Sequence, residues 1–221
     1  MHKIYLWIFG FSFTLVSCCS LNKVNFKNSN IIIPDKKIEL WNGKDFKNWI
    51  KYFSDNNVNA DEIWKISEGI IHCTGNPIGY LRTKNEYANY KLTVIWRWPS
   101  EPGNSGVMLH CQLPDQVWPK SIEAQLMSEN AGDFYVISGS DFKELVDKES
   151  RRLEKQNKNS ENTPGEWNKY EIICNDNSIT LNVNNVFQNK ATECTLNYGA
   201  IAFQSEGKPI EFKEIYIEPI D

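Results

Sequence analysis

Short runs of alternating apolar and polar residues succeed one another along most of the chain, and turn-forming sequences separate them. Typical separators are Ser67-Glu68-Gly69 and Asn175-Asp176-Asn177. Strands spaced in this way, with no strongly helical stretch between them, predict an all-β sandwich or barrel. The predicted strands are Ile38–Trp41, Glu62–Ile66, Gly69–Cys73, Gly79–Thr83, Tyr90–Trp98, Gly106–Gln112, Ser121–Met127, Asp133–Ile137, Trp167–Cys174, Ser178–Val183, Gly199–Gln204 and Pro209–Ile217.

The alternation also assigns side chains to faces, because successive residues of a strand point to opposite sides of the sheet. It places Arg97, His110 and Glu123 on the polar faces of three predicted strands, with Gln125 beside Glu123. If these strands are neighbours in one sheet, the four side chains share a surface that Gln204 could join. Donors and acceptors in fixed positions suit the hydroxyls of a sugar ring. The alternative is that they are solvent-facing residues of an antiparallel sheet.

The first seventeen residues are typical of an export signal and are left out of the fold prediction. Lys3 precedes an apolar run that is too short to span a bilayer, and the run ends in Leu15-Val16-Ser17-Cys18. This ending resembles the bacterial lipobox, which implies lipidation of Cys18 after removal of residues 1–17. An ordinary secretory signal is the alternative. We expect a lipid-anchored polar tether over residues 18–36, a domain over 37–221, and an outer-membrane anchor that faces the periplasm.

Charge and motifs exclude several classes of function. The chain carries 24 basic and 28 acidic residues, a net charge of −4, and has no basic arm, so we expect no nucleic-acid partner. It lacks a G-x-S-x-G nucleophile elbow, an H-E-x-x-H zinc pair and a phosphate-binding glycine loop.

One stretch departs from the strand pattern. Residues 138–165 are rich in charge, and Phe142, Leu145, Val146 and Leu153 give them a weak helical stripe. Such a long connection is typical of a lid or a mobile excursion. A solvated helical excursion without a role is the alternative.

Several sequence motifs, in this order, resemble the 3-keto-disaccharide hydrolase domain family, and together they cover residues 38–218. They include Leu40-Trp41-Asn42-Gly43-Lys44-Asp45, Gly79-Tyr80-Leu81-Arg82-Thr83, Trp96-Arg97, Gly103-Asn104-Ser105-Gly106-Val107, Trp118-Pro119-Lys120-Ser121-Ile122-Glu123-Ala124-Gln125, Asn130-Ala131-Gly132-Asp133-Phe134-Tyr135, Gly165-Glu166-Trp167-Asn168 and Gln204-Ser205-Glu206-Gly207. The resemblance implies a concanavalin A-like jelly-roll β-sandwich of two antiparallel sheets. It also implies cleavage of small glycosides whose C3 hydroxyl has been oxidised to a ketone.

A C3 ketone acidifies the C2 proton, so cleavage can proceed by proton abstraction, elimination and hydration. We expect Glu123 or His110 to be the base and Arg97 to clamp the enolate or a hydroxyl. A divalent cation held by His110 and Glu123 could serve as the electrophile instead. The expected substrate-binding residues, taken from the motifs, are Asn104, Gln125, Tyr135, Trp167 and Gln204.

Glu123 also invites comparison with the laminarinase-like sandwiches, whose catalytic strand carries three alternating acidic residues. Here Gln125 and Ser128 stand in place of the second and third, which argues against double displacement by an endo-glucanase. The alternative from another class is a non-catalytic, lectin-like lipoprotein that binds carbohydrate through the same polar face.

Overall fold

A computed structural model describes residues 30–220 as two antiparallel sheets packed face to face, together with a two-stranded parallel ribbon. The prediction of an all-β jelly-roll sandwich is confirmed. The strands are β1 Ile31–Ile32, β2 Ile38–Glu39, β3 Trp49–Phe53, β4 Trp64–Ser67, β5 Ile70–Cys73, β6 Gly79–Thr83, β7 Glu86–Tyr87, β8 Tyr90–Arg97, β9 Gly106–Cys111, β10 Ser121–Gln125, β11 Phe134–Ile137, β12 Arg152–Leu153, β13 Asn168–Asn175, β14 Ser178–Val183, β15 Val186–Ala191, β16 Ala200–Ser205 and β17 Ile210–Glu218, and one helical turn, α1, spans Ala60–Ile63.

The seven-stranded sheet has the order β12-β11-β10-β9-β16-β6-β3, and the eight-stranded sheet contains β15-β14-β13-β8-β17-β5-β4 with β2 also paired to β17. Strands distant in sequence are therefore neighbours in space. In particular, β16 lies between β9 and β6, which brings the end of the chain beside its middle.

The core lies between the two sheets because one apolar face of each sheet is turned toward the other. Leu109 and Ile122 of the seven-stranded sheet belong to the same buried cluster as Leu92 of the eight-stranded sheet. Phe203 of β16 and Phe212 of β17 meet across the interface with ring centres 4.9 Å apart. Burial of this apolar surface is the main source of stability in such a fold.

Local differences from the prediction have simple causes. Five strands were not predicted: β1, β7 and β12 have only two residues each, and in β3 and β15 the buried and exposed residues do not alternate cleanly. The segment predicted to begin a strand at Glu62 opens instead with α1, since the Asn59 side chain accepts a hydrogen bond from the Asp61 amide and caps the turn.

Residues 138–165 form no helix, so the predicted helical stripe is wrong. Phe142 and Leu145 are buried in the main core, and Phe142 packs on Phe134 with ring centres 5.4 Å apart. Further along, Arg152 of β12 forms an ion pair of 2.6 Å with buried Asp133 at the sheet edge. The segment is therefore packed against the sandwich at several points.

At the N-terminus, Cys18 and most of the predicted tether lie outside the described residues. Ile31–Ile32, inside the predicted tether, pairs with β7, so the packed domain begins before residue 37. Within residues 30–220, no helical segment has the length and apolarity needed to cross a bilayer.

Candidate functional site

Five of the predicted site residues meet on one surface, which we call the pocket face. It is the side of the seven-stranded sheet directed away from the core. Register explains the grouping, because Glu123 pairs with Met108 and with Tyr135, while Gln125 pairs with Gly106. The cavity on this face has a volume of about 540 Å³. Its lining includes Asn104, Glu123, Gln125, Tyr135 and Gln204; their roles stay predictions.

Glu123 of β10 is the most perturbed carboxyl of this cavity. Only 6% of the residue is exposed, and this burial raises the pKa of Glu123 from its ordinary 4.5 to about 8. The nearby charge of Glu206 raises the pKa further, whereas a hydrogen bond from Gln204 and the charge of Arg151 lower it. A carboxyl with a pKa near the working pH is suited to moving a proton in either direction.

Gly106, which has no side chain, leaves the space that the Glu123 side chain occupies. A Cβ atom on Gly106 would stand 2.1 Å from Glu123 Oε1 and 2.8 Å from Gln204 Oε1, and atoms cannot approach so closely. Gly106 therefore allows the carboxyl and the amide to lie over the strand.

Several polar atoms of the pocket face are buried without a protein partner. They include the side-chain oxygens of Gln204 and Asn104. The Gln125 oxygen is different, because it accepts hydrogen bonds of 2.8 Å from the amides of Leu126 and Met127. Buried acceptors are usually paired, so unpaired ones on a cavity wall are available to the hydroxyls of a ligand.

The structure adds seven lining residues that sequence reasoning did not assign to the site, and three of them, Trp118, Arg151 and Glu206, carry an aromatic ring or a charge. Glu206 follows Gln204 by two positions and forms a bridge with Asn104, so strand period alone could have placed it on this face. Arg151 comes from the 138–165 segment, where nothing in the local sequence distinguishes it from its charged neighbours. The site thus holds two carboxyl groups, although the strand of Glu123 supplies only one.

A partly buried ion pair fixes the loop that carries Trp118. Arg82 of β6 donates from Nε and Nη2 to the two oxygens of Asp115, each at 2.6 Å. Tyr80, also on β6, donates to the same carboxylate at 2.8 Å. Bidentate pairs of this kind have little freedom, so the loop is held rigidly against the sheet.

The prediction that His110 shares the pocket face is wrong. Its backbone has φ of +55°, and the pairing of β9 with β16 shifts register between Ala200 and Ala202. This bulge turns the ring into the core, where 1% of the residue is exposed and the ring meets Tyr90 edge-on with centres 5.8 Å apart. Burial lowers the pKa of His110 to about 4. A cation shared between His110 and Glu123 has no support from this placement.

Arg97 and Trp167 also lie elsewhere, because β8 belongs to the eight-stranded sheet and not to the sheet of Glu123. Arg97 is on the outer face of that sheet, next to core residue Trp96 but pointing the other way. Its Nε donates to Glu211 at 2.6 Å, and its guanidinium lies 4.3 Å from the centre of the Trp167 ring. These residues do not contribute to the cavity.

A metal site would need several coordinating side chains placed close together. Over residues 30–220, no group of three His, Cys, Asp or Glu side chains is placed where it could hold a metal ion.

A jelly-roll sandwich with an open cavity, a buried carboxyl and unpaired amide oxygens defines a carbohydrate-acting protein of the concanavalin A-like fold. The fold is similar to that of a proposed glycosyl hydrolase from Parabacteroides distasonis, with a TM-score of 0.63 at 20% identity over 84% of this chain and 94% of the other. It is also similar to a β-glucanase from Bacillus licheniformis, with a TM-score of 0.57 at 11% identity over 84% and 99%. A carbohydrate-binding module from Bacillus subtilis gives a TM-score of 0.55 at 6% identity over 77% and 95%.

No curated protein sequence matches the chain significantly. The model of the 3-keto-alpha-glucoside-1,2-lyase-like domain matches residues 36–218, and the chain therefore belongs to this family.

Proposed function

We propose that this chain cleaves 3-keto-glycosides, including 3-keto-disaccharides, by elimination followed by hydration. The observation that carries the proposal is Glu123, a buried carboxyl with a raised pKa on the wall of an open polar cavity. Family membership supports the same substrate class.

The chemistry balances without an oxidant, a reductant or a covalent enzyme intermediate. A base removes the C2 proton, the electron pair forms the C1–C2 double bond, and the C1–O bond breaks, so that the leaving group departs as an alcohol once protonated. Water then adds its oxygen to C1 and a proton to C2. The sum is hydrolysis of the glycosidic bond, and the ketone at C3 is unchanged.

The residues of the cavity can be assigned to these steps. Ionised Glu123 removes the C2 proton, and the positive charge of Arg151 stabilises negative charge that develops on the ketone oxygen. Glu206 is the donor to the leaving oxygen, since burial also raises its pKa. The unpaired oxygens of Asn104 and Gln204 accept hydrogen bonds from ring hydroxyls. A divalent cation at the ketone oxygen would be an alternative electrophile.

The presence of two carboxyl groups makes direct hydrolysis of an unoxidised glycoside the rival chemistry. The deciding experiment incubates the mature chain with a 3-keto-disaccharide and with the same unoxidised disaccharide, and measures released sugar. We expect turnover of the ketone alone. Turnover of both at similar rates would support direct hydrolysis, and binding without turnover of either would support a lectin-like protein. Parallel assays with a chelator and with added divalent cations decide whether a metal is needed.

We also propose that the domain works in the periplasm from an outer-membrane lipid anchor on Cys18. The lipobox-like ending of the export signal supports this location. Metabolic labelling with a radioactive fatty acid should mark the wild-type chain and leave Cys18→Ser unlabelled. Equal labelling of both, or of neither, would contradict the anchor.

A further inference from the structure

A second cavity of about 370 Å³ adjoins the first. The two share Val136, Ser138 and Arg151 in their walls. The rest of the second wall comes from residues 139–148, so the 138–165 segment builds a space that the seven-stranded sheet alone would lack.

This second wall is anchored. Ser140 Oγ donates at 2.6 Å to the carbonyl of Ser121, the first residue of the strand that carries Glu123. Ser138 Oγ donates at 2.7 Å to the carbonyl of Trp118, a residue of the first cavity. Leu145 is buried in the core. The second cavity therefore has a defined position relative to the first one.

The lining combines buried apolar residues with exposed charged ones. Val136 and Leu145 are the buried apolar residues. Asp141 and Lys148 form an ion pair of 2.5 Å, and their side chains are 42% and 55% exposed, so donors and acceptors face solvent. A sugar ring has the matching character, with apolar C–H faces and hydroxyls around its edge.

We infer that the second cavity binds the leaving group of the substrate, and that this group is a second sugar ring. The inference rests on the proposed function, because elimination at C1 requires the departing alcohol to lie beside the cavity that holds the C2 proton and Glu123. The shared residues make the second cavity the adjoining space that meets this need. Lys148 and Asp141 bind hydroxyls of that ring and so determine the choice of leaving group.

The test compares Lys148→Ala with Lys143→Ala. Lys143 is a matched control, since it lies in the same segment and forms an exposed ion pair of 2.5 Å with Glu193, outside the second cavity. Each variant is assayed on a 3-keto-disaccharide and on the methyl 3-keto-glucoside, which has the same first ring but a leaving group too small to reach Lys148.

We expect Lys148→Ala to lower kcat/KM for the disaccharide by about tenfold, mainly through KM, because a charge-assisted hydrogen bond is lost. The methyl glycoside should change by less than about twofold, and Lys143→Ala should affect neither substrate. Equal effects of Lys148→Ala on both substrates, or none on the disaccharide, would overturn the inference and leave the proposed function standing. If the wild-type chain turns over neither ketone, the proposed function fails and the inference fails with it. Thermal unfolding of both variants checks that they are folded.

Discussion

The two sheets each present a polar face outside the core, and in sequence the two faces look alike. On the outer face of the eight-stranded sheet, Arg97 is neutralised by Glu211 and stacked against Trp167. The Nδ1 atom of His72 lies 2.9 Å from the same Glu211 carboxylate. On the pocket face, by contrast, the buried Glu123 carboxyl receives a hydrogen bond from the neutral amide of Gln204, whose own oxygen has no hydrogen-bond partner within residues 30–220.

Under the proposed function, this difference separates a structural polar face from a functional one. Polar groups that stabilise a fold are paired, because an unpaired buried group costs about 1–3 kcal/mol. Groups that bind or transform a ligand are left unpaired, and the rest of the fold offsets that cost. Substitutions on the two faces should therefore have different effects, with losses of activity on the pocket face and losses of stability on the outer face of the eight-stranded sheet.

Glu123→Gln should lower kcat for a 3-keto-glycoside by about 10²- to 10⁴-fold, because the variant has no base. In the wild type, kcat/KM should rise with pH to a midpoint near the Glu123 pKa of about 8. Steady-state kinetics over pH 5–10 measure both effects. A rate that falls as pH rises through this range would make Glu123 the acid instead.

Glu123→Gln should increase stability relative to the wild type at high pH, although it lowers activity. Folded Glu123 titrates at about 8 and the unfolded residue near 4.5, so the folded state binds more protons between these values. Stability of the wild type therefore falls as pH rises through this window, by on the order of a few kcal/mol. In Glu123→Gln this residue no longer titrates, so the free energy of unfolding should change less between low and high pH than in the wild type. Urea denaturation at both pH values measures the difference.

Gly106→Ala should lower kcat/KM by about 10²-fold, because the new methyl group displaces the Glu123 carboxyl. Gly165→Ala is the control on the other face. Nothing lies within 4 Å of its Cβ, but φ of +96° strains an alanine, so stability should fall while kcat/KM is retained. Wild-type activity in Gly106→Ala would contradict the described arrangement of the carboxyl.

Two arginines, one on each face, make a matched pair for substitution. Arg151→Ala should lower kcat/KM about tenfold or more, since a charge beside Glu123 is lost. Arg97→Ala should leave kcat/KM within about twofold but reduce the free energy of unfolding by about 1–3 kcal/mol, because Glu211 loses a partner. A loss of activity in Arg97→Ala, together with retained activity in Arg151→Ala, would place the active site on the outer face of the eight-stranded sheet.

His110→Asn should leave activity nearly unchanged, because the ring lies in the core. Asparagine tolerates the positive φ of this position. Folded His110 has a pKa of about 4, below its ordinary 6.5, so the unfolded state takes up the proton first and the wild type loses stability as pH falls through this window. The loss is on the order of 2 kcal/mol at about pH 5, and urea denaturation should show it much reduced in the variant.

The sequence predicted the fold because alternation is a local property and most strands carry it clearly. It also placed Glu123 and Gln125 on one face, since both sit in the regular strand β10. It could not predict which strands are neighbours. Gln204 and Arg97 were grouped with Glu123 on the condition that their strands share its sheet, and this condition holds for β16 but fails for β8. The error on His110 has a different cause, because a single bulge reverses every face beyond it.

Arg151 illustrates a third limit. Its approach to Glu123 depends on how residues 138–165 pack, and that packing is a tertiary effect with no local signature. Glu206 is the opposite case, since its position two residues after Gln204 is visible in the sequence alone.

The anchored segment that follows β11 has a consequence for how this protein can be altered. Glu123, Gly106 and Gln204 belong to the seven-stranded sheet, whereas the wall of the second cavity comes from residues 138–151. Most of the proposed reacting groups and the residues next to the departing alcohol are thus carried by separate stretches of chain, and Arg151 is the one that lines both cavities. Grafting a different sequence over residues 139–148, with Arg151 retained, would redirect such a catalyst to new leaving groups while its proposed proton-transfer groups stayed in place, which makes this stretch the natural place for diversification and for design.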